Sequence, residues 1–406
     1  MSRSGCPLGQ CPTRSKVHAR RDPNPGVSRG SLRGDDPPEA DEHCKNPGVN
    51  GHDLLADREV PDIVPEQIER FTAEAVRAKA VRSFDPHAVV RQLSIGGEKT
   101  VIAVDIGGDK LVAWSYSVHD GLLLPLAQVA LRRGDGGSGY LDGLEEVADL
   151  ARRKMLSVGI SVAGLTDSTQ IVTGANLPNF TAAFDERYGG NFADLFPAVA
   201  VANDAEAGIM AGALEAAKRY PEMRNVIYVI NGSGLGGALL TGKTIFAIEP
   251  GHIPIEASLN PFGQRRPCGI LGATYVCVEA VAASKAGVED IWFQRRGKRL
   301  SGKEIAARYL AGDRMALDLY DNSALVTAHV IKGIPKAFSL PANFDRTIVV
   351  AHGGIFQVPG YGERVRSILE KDLGFAPGML FTKDFSSNTC LDGAAIAAAI
   401  SGGPSS

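Results

Sequence analysis

An excess of either charge is missing from this sequence: 43 Lys+Arg stand against 46 Asp+Glu, a formal net charge of -3. That balance gives no global electrostatic reason to bind a nucleic acid. Cysteine is scarce, six in 406 residues, and Cys6, Cys11, Cys44, Cys268, Cys277 and Cys390 are too few and too scattered to staple so long a chain. A disulfide scaffold is excluded and reduced thiols are expected. Long apolar runs are lacking too. None approaches the ~20 residues that cross a bilayer, and the first thirty residues hold no apolar stretch of a secretory signal. These absences predict a cytoplasmic protein whose partners are small molecules, with no nucleic acid and no membrane among them. What is present is bulk: 44% hydrophobic residues over 406 positions supply the core of two to three domains.

Residues 1–61 have no aromatic side chain and few β-branched ones, so they bury too little apolar surface to offset ordering entropy, and a disordered tail is expected. Its first part is basic (Arg14, Lys16, Arg20, Arg21) and its later part acidic (Asp35, Asp36, Glu39, Asp41), which suits an interaction arm or simply a solvated tail. Residues 62–99 read as a helical lead-in. The spacing of Ile68, Phe71, Ala75 and Ala78 predicts a helix over Pro65–Ser83 with a proline in its first turn. A helix-turn-helix needs at least one more helix and a turn, and only one helix is visible before the first strong strand.

From Thr100 onward, strands and helices alternate. Val101–Asp105, Leu111–Val118 and Leu122–Leu131 read as an antiparallel meander, and Tyr140–Lys154 as a helix. Ser157–Ala163 and Ala198–Ala202 read as short buried strands, the second running into a helix over Ala205–Arg219. Val226–Ile230, a glycine-rich turn and Ala238–Leu240 then repeat the opening pattern. Two such units predict a duplicated α/β architecture with a cleft between. A buried strand over Thr347–Ala351 and a small-residue helix over Leu391–Ile400 follow.

The glycine turns, Gly107-Gly108 and Gly232 to Gly237, carry no side chains to keep backbone N–H groups from phosphate oxygens, although two ordinary tight hairpins would read the same way. Asp105 ends the first strand beside one turn, where a carboxylate suits Mg2+ held through water. Asp204 ends another apolar strand and is either a general base or a helix cap.

Seven pieces, in order, resemble the ROK family (repressor, open reading frame, kinase): Asp105-Ile-Gly-Gly-Asp-Lys110, Gly159-Ile-Ser-Val-Ala-Gly164, Ala175-Asn-Leu-Pro-Asn179, Asn203-Asp-Ala205, Gly232-Ser-Gly-Leu-Gly-Gly237, Glu249-Pro-Gly-His252 and His352-Gly-Gly354. The resemblance covers about residues 100 to 400. It implies an α/β actin-like ATPase (ribonuclease H-like) fold with two lobes around a cleft: a small lobe over 100–223, completed by a C-terminal helix over 389–402, and a large lobe over 224–388. It also implies an ATP-dependent sugar kinase acting on a primary hydroxyl of a hexose or hexose derivative, like a glucokinase or N-acetylmannosamine kinase. ATP and Mg2+ would serve as cofactors, and a homodimer is expected. The alternatives are a sugar-responsive transcriptional regulator without its DNA-binding module, or a catalytically silent sugar-binding homologue.

Carried onto this sequence, the resemblance makes Asp204 the catalytic base and assigns the sugar to Asn176, Asn203, Glu249, His252 and Glu279. For Asn203, capping the following helix is the other reading. The nucleotide falls to Gly107, Gly108, Asp109, Lys110, Gly232, Ser233, Gly234, Gly236, Gly353 and Gly354, with Mg2+ at Asp105 through water. Two departures stand out. Asp109 occupies a place where the family has Thr or Ser, so a carboxylate faces the phosphates. The family's zinc motif, one His and three Cys, is eroded: Arg266 stands at the first Cys, leaving at most His252, Cys268 and Cys277. Zinc is therefore not expected, and packing of Pro267 and Tyr275–Val278 is expected to hold the loop instead.

Overall fold

A computed structural model describes residues 80–401, apart from 135–136, 175–176, 256, 269–274 and 339–345. The tail over 1–61, most of the helix over Pro65–Ser83, and Asn176 lie outside the described residues.

The first sheet grows from β2 (Lys99–Ile106), whose run Val101-Ile-Ala-Val104 is buried throughout, as a strand covered on both faces must be. β3 (Lys110–His119) and β4 (Leu122–Arg133) return antiparallel, forming the expected meander. On the other side of β2, β5 (Ser157–Val162) and β8 (Val199–Asn203) add parallel, giving the order β4-β3-β2-β5-β8. A two-stranded ribbon, β6 (Leu165–Asp167) with β7 (Gln170–Thr173), lies apart.

The second sheet repeats this plan. β9 (Asn225–Asn231), β10 (Leu235–Thr241) and β11 (Thr244–Ile248) form the meander, and β12 (Thr347–His352) and β13 (Gly378–Phe381) add parallel beside β9. The order is β11-β10-β9-β12-β13, with one extra strand, β1 (Ala80–Ser83), antiparallel on the β11 edge. β1 corrects the sequence reading, which ended a helix at Ser83. Ala80-Val-Arg-Ser83 finds a strand edge to pair with, and the next helix starts at α1 (Pro86–Ile95). There the Asp85 carboxylate accepts from Ala88 N–H, and proline occupies the first turn.

The remaining helices are α2 (Gly137–Lys154), α3 (Pro178–Tyr188), α4 (Asp204–Arg219), α5 (Glu279–Ala282), α6 (Asp290–Arg296), α7 (Gly302–Leu310), α8 (Arg314–Ala337), α9 (Tyr361–Ser367) and α10 (Thr389–Ser401). α4 and α10 share one buried cluster with residues of both sheets: Ala207, Met210 and Ile396 pack with Val101 and Ala103 on one side and Tyr228 and Val350 on the other. The contact is so close that a methyl on Gly393 would lie 1.8 Å from the Ala207 carbonyl oxygen. Only a glycine fits there, which is why this helix is built of small residues. α2 and α3 cover the first sheet with Leu144, Phe180 and Phe184, and α8 packs on the second. No helix among the described residues is long and apolar enough to cross a membrane.

Candidate active site

Where β2 leaves the sheet its apolar run ends at Asp105, in register with Ser161 of β5. Both carboxylate oxygens are held: Ser161 Oγ donates to Oδ1 and Asn388 Nδ2 to Oδ2, each at 3.0 Å. Burial pushes this carboxyl above its usual range, while the two hydrogen bonds and the Lys110 charge pull the other way. The adjoining turn closes through Gly107 N–H donating to the Lys110 carbonyl at 2.9 Å. Gly108, Asp109 and Lys110 are exposed on it, so the departure at Asp109 lies on an open turn.

The second glycine turn is closed by Gly232 N–H donating to the Gly234 carbonyl at 2.9 Å, with Ser233 exposed at its tip. β10 begins at Leu235, so Gly236 sits within the strand opposite Ile230 and not in the turn as the sequence reading had it. The ladder to β9 extends three residues further than the small residues there suggested. A methyl on Gly234 would meet Glu279 Oε2 at 2.8 Å, which places the Glu279 carboxylate over this turn. Gly353 has φ 109°, and a Cβ there would lie 2.0 Å from the Asn231 carbonyl oxygen. Only glycine allows β12 to end so close to the foot of the turn, and Gly354 follows with open space around it. His352, before them, is hydrogen-bonded to Thr382 Oγ1 at 2.8 Å, and burial lowers its pKa to about 4.

Between these turns lies the start of α4. Asn203 is its N-cap: Oδ1 accepts from Ala205 N–H at 2.9 Å and Nδ2 donates to the Gly164 carbonyl at 2.9 Å. The capping alternative thus belongs to Asn203, and Asp204 occupies the first helical position, Oδ1 accepting from Ala205 N–H at 2.8 Å. Burial pushes the Asp204 carboxyl up to about 6, and the negative charge of Asp105 adds to the shift. Glu249 follows β11 directly. Burial raises it to about 7, with the charges of Asp204 and Glu279 adding. Its side chain nevertheless reaches solvent. Asp105, Asp204, Glu249 and Glu279 therefore form one chain of mutually felt carboxylates beside two bare-backbone turns.

His252 turns one ring nitrogen toward two cysteines. Its Nδ1 stands 3.5 Å from Cys268 Sγ, and the donor atoms of His252, Cys268 and Cys277 all lie within 4.8 Å of one another. The edge of a tetrahedron with a metal–nitrogen bond of about 2.0 Å and a metal–sulfur bond of about 2.3 Å is ~3.5 Å, so these three donors fit zinc. The fourth position does not: Arg266 is engaged in an ion pair with Asp290 at 2.6 Å. Burial pushes the Cys277 thiol up to about 12, so without a cation it stays protonated, packed with Val276 and Ala280.

Sequence reasoning missed Ser161, Asn388 and the partner of the cap, Glu206. Ser161 lay within the Gly159-Ile-Ser-Val-Ala-Gly164 motif without a role assigned to it, and Glu206 had a local signal in the Asn-x-x-Glu spacing of a capping box.

The model of the ROK family matches residues 101–399. No curated protein matches the chain. Among solved structures it is similar to a ROK hexokinase from Thermus thermophilus (21% identity, TM-score 0.52, 74% of this chain and 98% of that one). It is also similar to a ROK family glucokinase from Streptomyces griseus in complex with glucose and AMPPNP (20%, 0.51, 74% and 99%). A ROK family transcriptional regulator, a homologue of the E. coli MLC protein, is similar as well (16%, 0.50, 83% and 90%). With the repeated five-strand order and the family match over residues 101–399, the chain belongs to the ROK family and has the actin-like ATPase fold.

Proposed function

We propose that this protein is an ATP-dependent sugar kinase that phosphorylates a primary hydroxyl of a hexose or hexose derivative. The observation that carries the reading is Asp204: a carboxyl raised to about 6, freed from helix capping by Asn203 and set beside Asp105 and the other acids of the cleft. A base of that strength is ionised at neutral pH and still basic enough to take a proton as a hydroxyl attacks. Asp204 accepts the proton from the sugar hydroxyl at a carboxylate oxygen. Glu249 and Glu279 accept hydrogen bonds from neighbouring hydroxyls, and Asn203, whose amide is engaged with the Gly164 carbonyl and with Asp204, orients the base. Gly108, Ser233, Gly234 and Gly354 offer backbone N–H groups to the phosphates, those of Gly107 and Gly232 being used to close the turns. Asp105, its oxygens oriented by Ser161 and Asn388, holds Mg2+ through water. The ion supplies charge neutralisation at the phosphates. Kinship with the glucose and AMPPNP complex of the Streptomyces griseus glucokinase supports sugar and ATP as substrates.

The test is a coupled ADP-release assay over hexoses, aminosugars and N-acetylated sugars, with calorimetric sugar binding alongside. Saturable ADP release with one sugar supports the kinase. Tight sugar binding without turnover means a silent sugar-binding homologue, and neither result means a different ligand.

A further inference from the structure

We propose that Arg82, on a strand outside the matched family domain, is a positioning residue for Asp204. The family match begins at residue 101, so β1 and α1 precede it, and β1 is the one strand that breaks the identical order of the two sheets. From β1 the Arg82 guanidinium reaches across to the elements around Asp204. Nε donates to Glu206 Oε1 at 2.5 Å and Nη2 donates to the Val201 carbonyl at 2.6 Å. Val201 belongs to β8, which leads into the cap, and Glu206 lies in the first turn of α4. One planar fork therefore spans the strand–helix junction that presents Asp204.

Glu206 is 3% exposed, and its second oxygen accepts the Asn203 N–H at 3.4 Å. A carboxylate so buried needs a paired cation, and Arg82 is that partner. Lysine replaces it poorly, because its three donors radiate from one nitrogen and do not reproduce the separated, fixed directions of Nε and Nη2. The same strand holds the opposite wall: Arg82 lies across from Ile245 of β11, and β11 runs directly into Glu249. Phe84 N–H donates to the Lys243 carbonyl at 2.8 Å, Lys243 pairs with Asp85 at 2.9 Å, and Phe84 is buried. β1 thus touches both elements that deliver Asp204 and Glu249, and it fixes the spacing of the two carboxyls.

The activity readout rests on the kinase reading, so the experiment carries a second one that needs no substrate. In the full chain, Arg82→Met is expected to speed amide exchange at residues 203–207 and to lower kcat by about tenfold or more, the sensitivity expected of a displaced catalytic group, with sugar Kd within about twofold. Phe84→Ala loosens the docking of β1 and α1 by packing alone. It is expected to lower Tm at least as far while sparing kcat and exchange at 203–207. Arg82→Lys is expected to recover more Tm than kcat. Wild-type exchange and kcat in Arg82→Met overturns the proposal, as does Phe84→Ala reproducing the kcat loss at equal Tm. If the unaltered protein phosphorylates no sugar, the kinase reading falls alone, and exchange at 203–207 still decides the role of Arg82.

Discussion

Replacing Asp204 by Asn keeps shape and polarity but removes the ionisable group. The fold is expected to survive, since Asn203 supplies the cap independently and the new amide oxygen can still accept from Ala205 N–H. The folded-state pKa of Asp204 is about 6 against an ordinary aspartate value of 3.8, so the folded protein holds this proton more tightly than the unfolded chain. Stability from this group is fully present below about pH 4 and is lost as pH rises through about 6. At neutral pH the loss is up to about 3 kcal/mol, at ~1.4 kcal/mol per pKa unit, and less where water screens the cleft. Asp204→Asn removes that loss. It is therefore expected to be more resistant to urea than the wild type at pH 7.5 by about 1–3 kcal/mol, and no more resistant near pH 4. Activity moves in the opposite direction, with kcat lower by about 10²–10⁴ and sugar affinity little changed.

The pH profile of the wild type adds an independent check. kcat/KM is expected to begin falling near pH 7, where Glu249 takes up its proton, and to fall more steeply, by up to about a hundredfold per unit, below about pH 6. Because the two carboxyls feel each other, the breaks belong to the pair. Equilibrium urea unfolding at the two pH values and ADP-release kinetics from pH 5 to 9 measure both sides. A variant that turns over at the wild-type rate, or that is less stable at pH 7.5, refutes the assignment of Asp204 as a buried base.

Asn388→Asp sets a second carboxylate against Asp105 in place of a donor, so the Mg2+ concentration needed for half-maximal rate is expected to change while calorimetric sugar binding does not; identical Mg2+ curves refute the role of Asn388. Asp109→Thr removes one exposed charge beside the first glycine turn, and the KM for ATP is expected to fall by about fivefold, ~1 kcal/mol for one screened charge, at constant sugar KM. A rise in that KM means the carboxylate works in the metal shell. With three donors and Arg266 in place of a fourth, protein dialysed against a chelator is expected to be free of zinc with unchanged Tm, measured by metal analysis and thermal unfolding; one retained zinc per chain overturns this.

What was legible in the sequence sits at strand ends. An apolar run marks a buried strand, and the polar residues that end it lie at its edge, so Asp105 and the Asn203-Asp204 pair announce themselves by position as well as by type. The repetition of strand, glycine turn and strand announced the second sheet in the same way, and the structure carries it further than the pattern did, to identical orders of five strands. Gly236 was misplaced because a glycine within a ladder and one within a turn look alike until the partner strand is known.

The residues that hold the site in place left almost no trace. Asn388 reaches Asp105 across 283 positions, and Ser161 meets it only through the register of β5 on β2. β1 was read as the end of a helix because Ala80-Val-Arg-Ser83 has weak preferences of its own and becomes a strand only where the β11 edge offers hydrogen bonds. Arg82 and Glu206 follow the same logic: each looks like a solvated charge in the sequence, and their pairing exists only once the added strand has docked. A chemical group at the reacting centre must be of a fixed type at the end of a fixed element, which sequence patterns record. The groups that orient it need only arrive at the right point in space, and many sequences can arrange that.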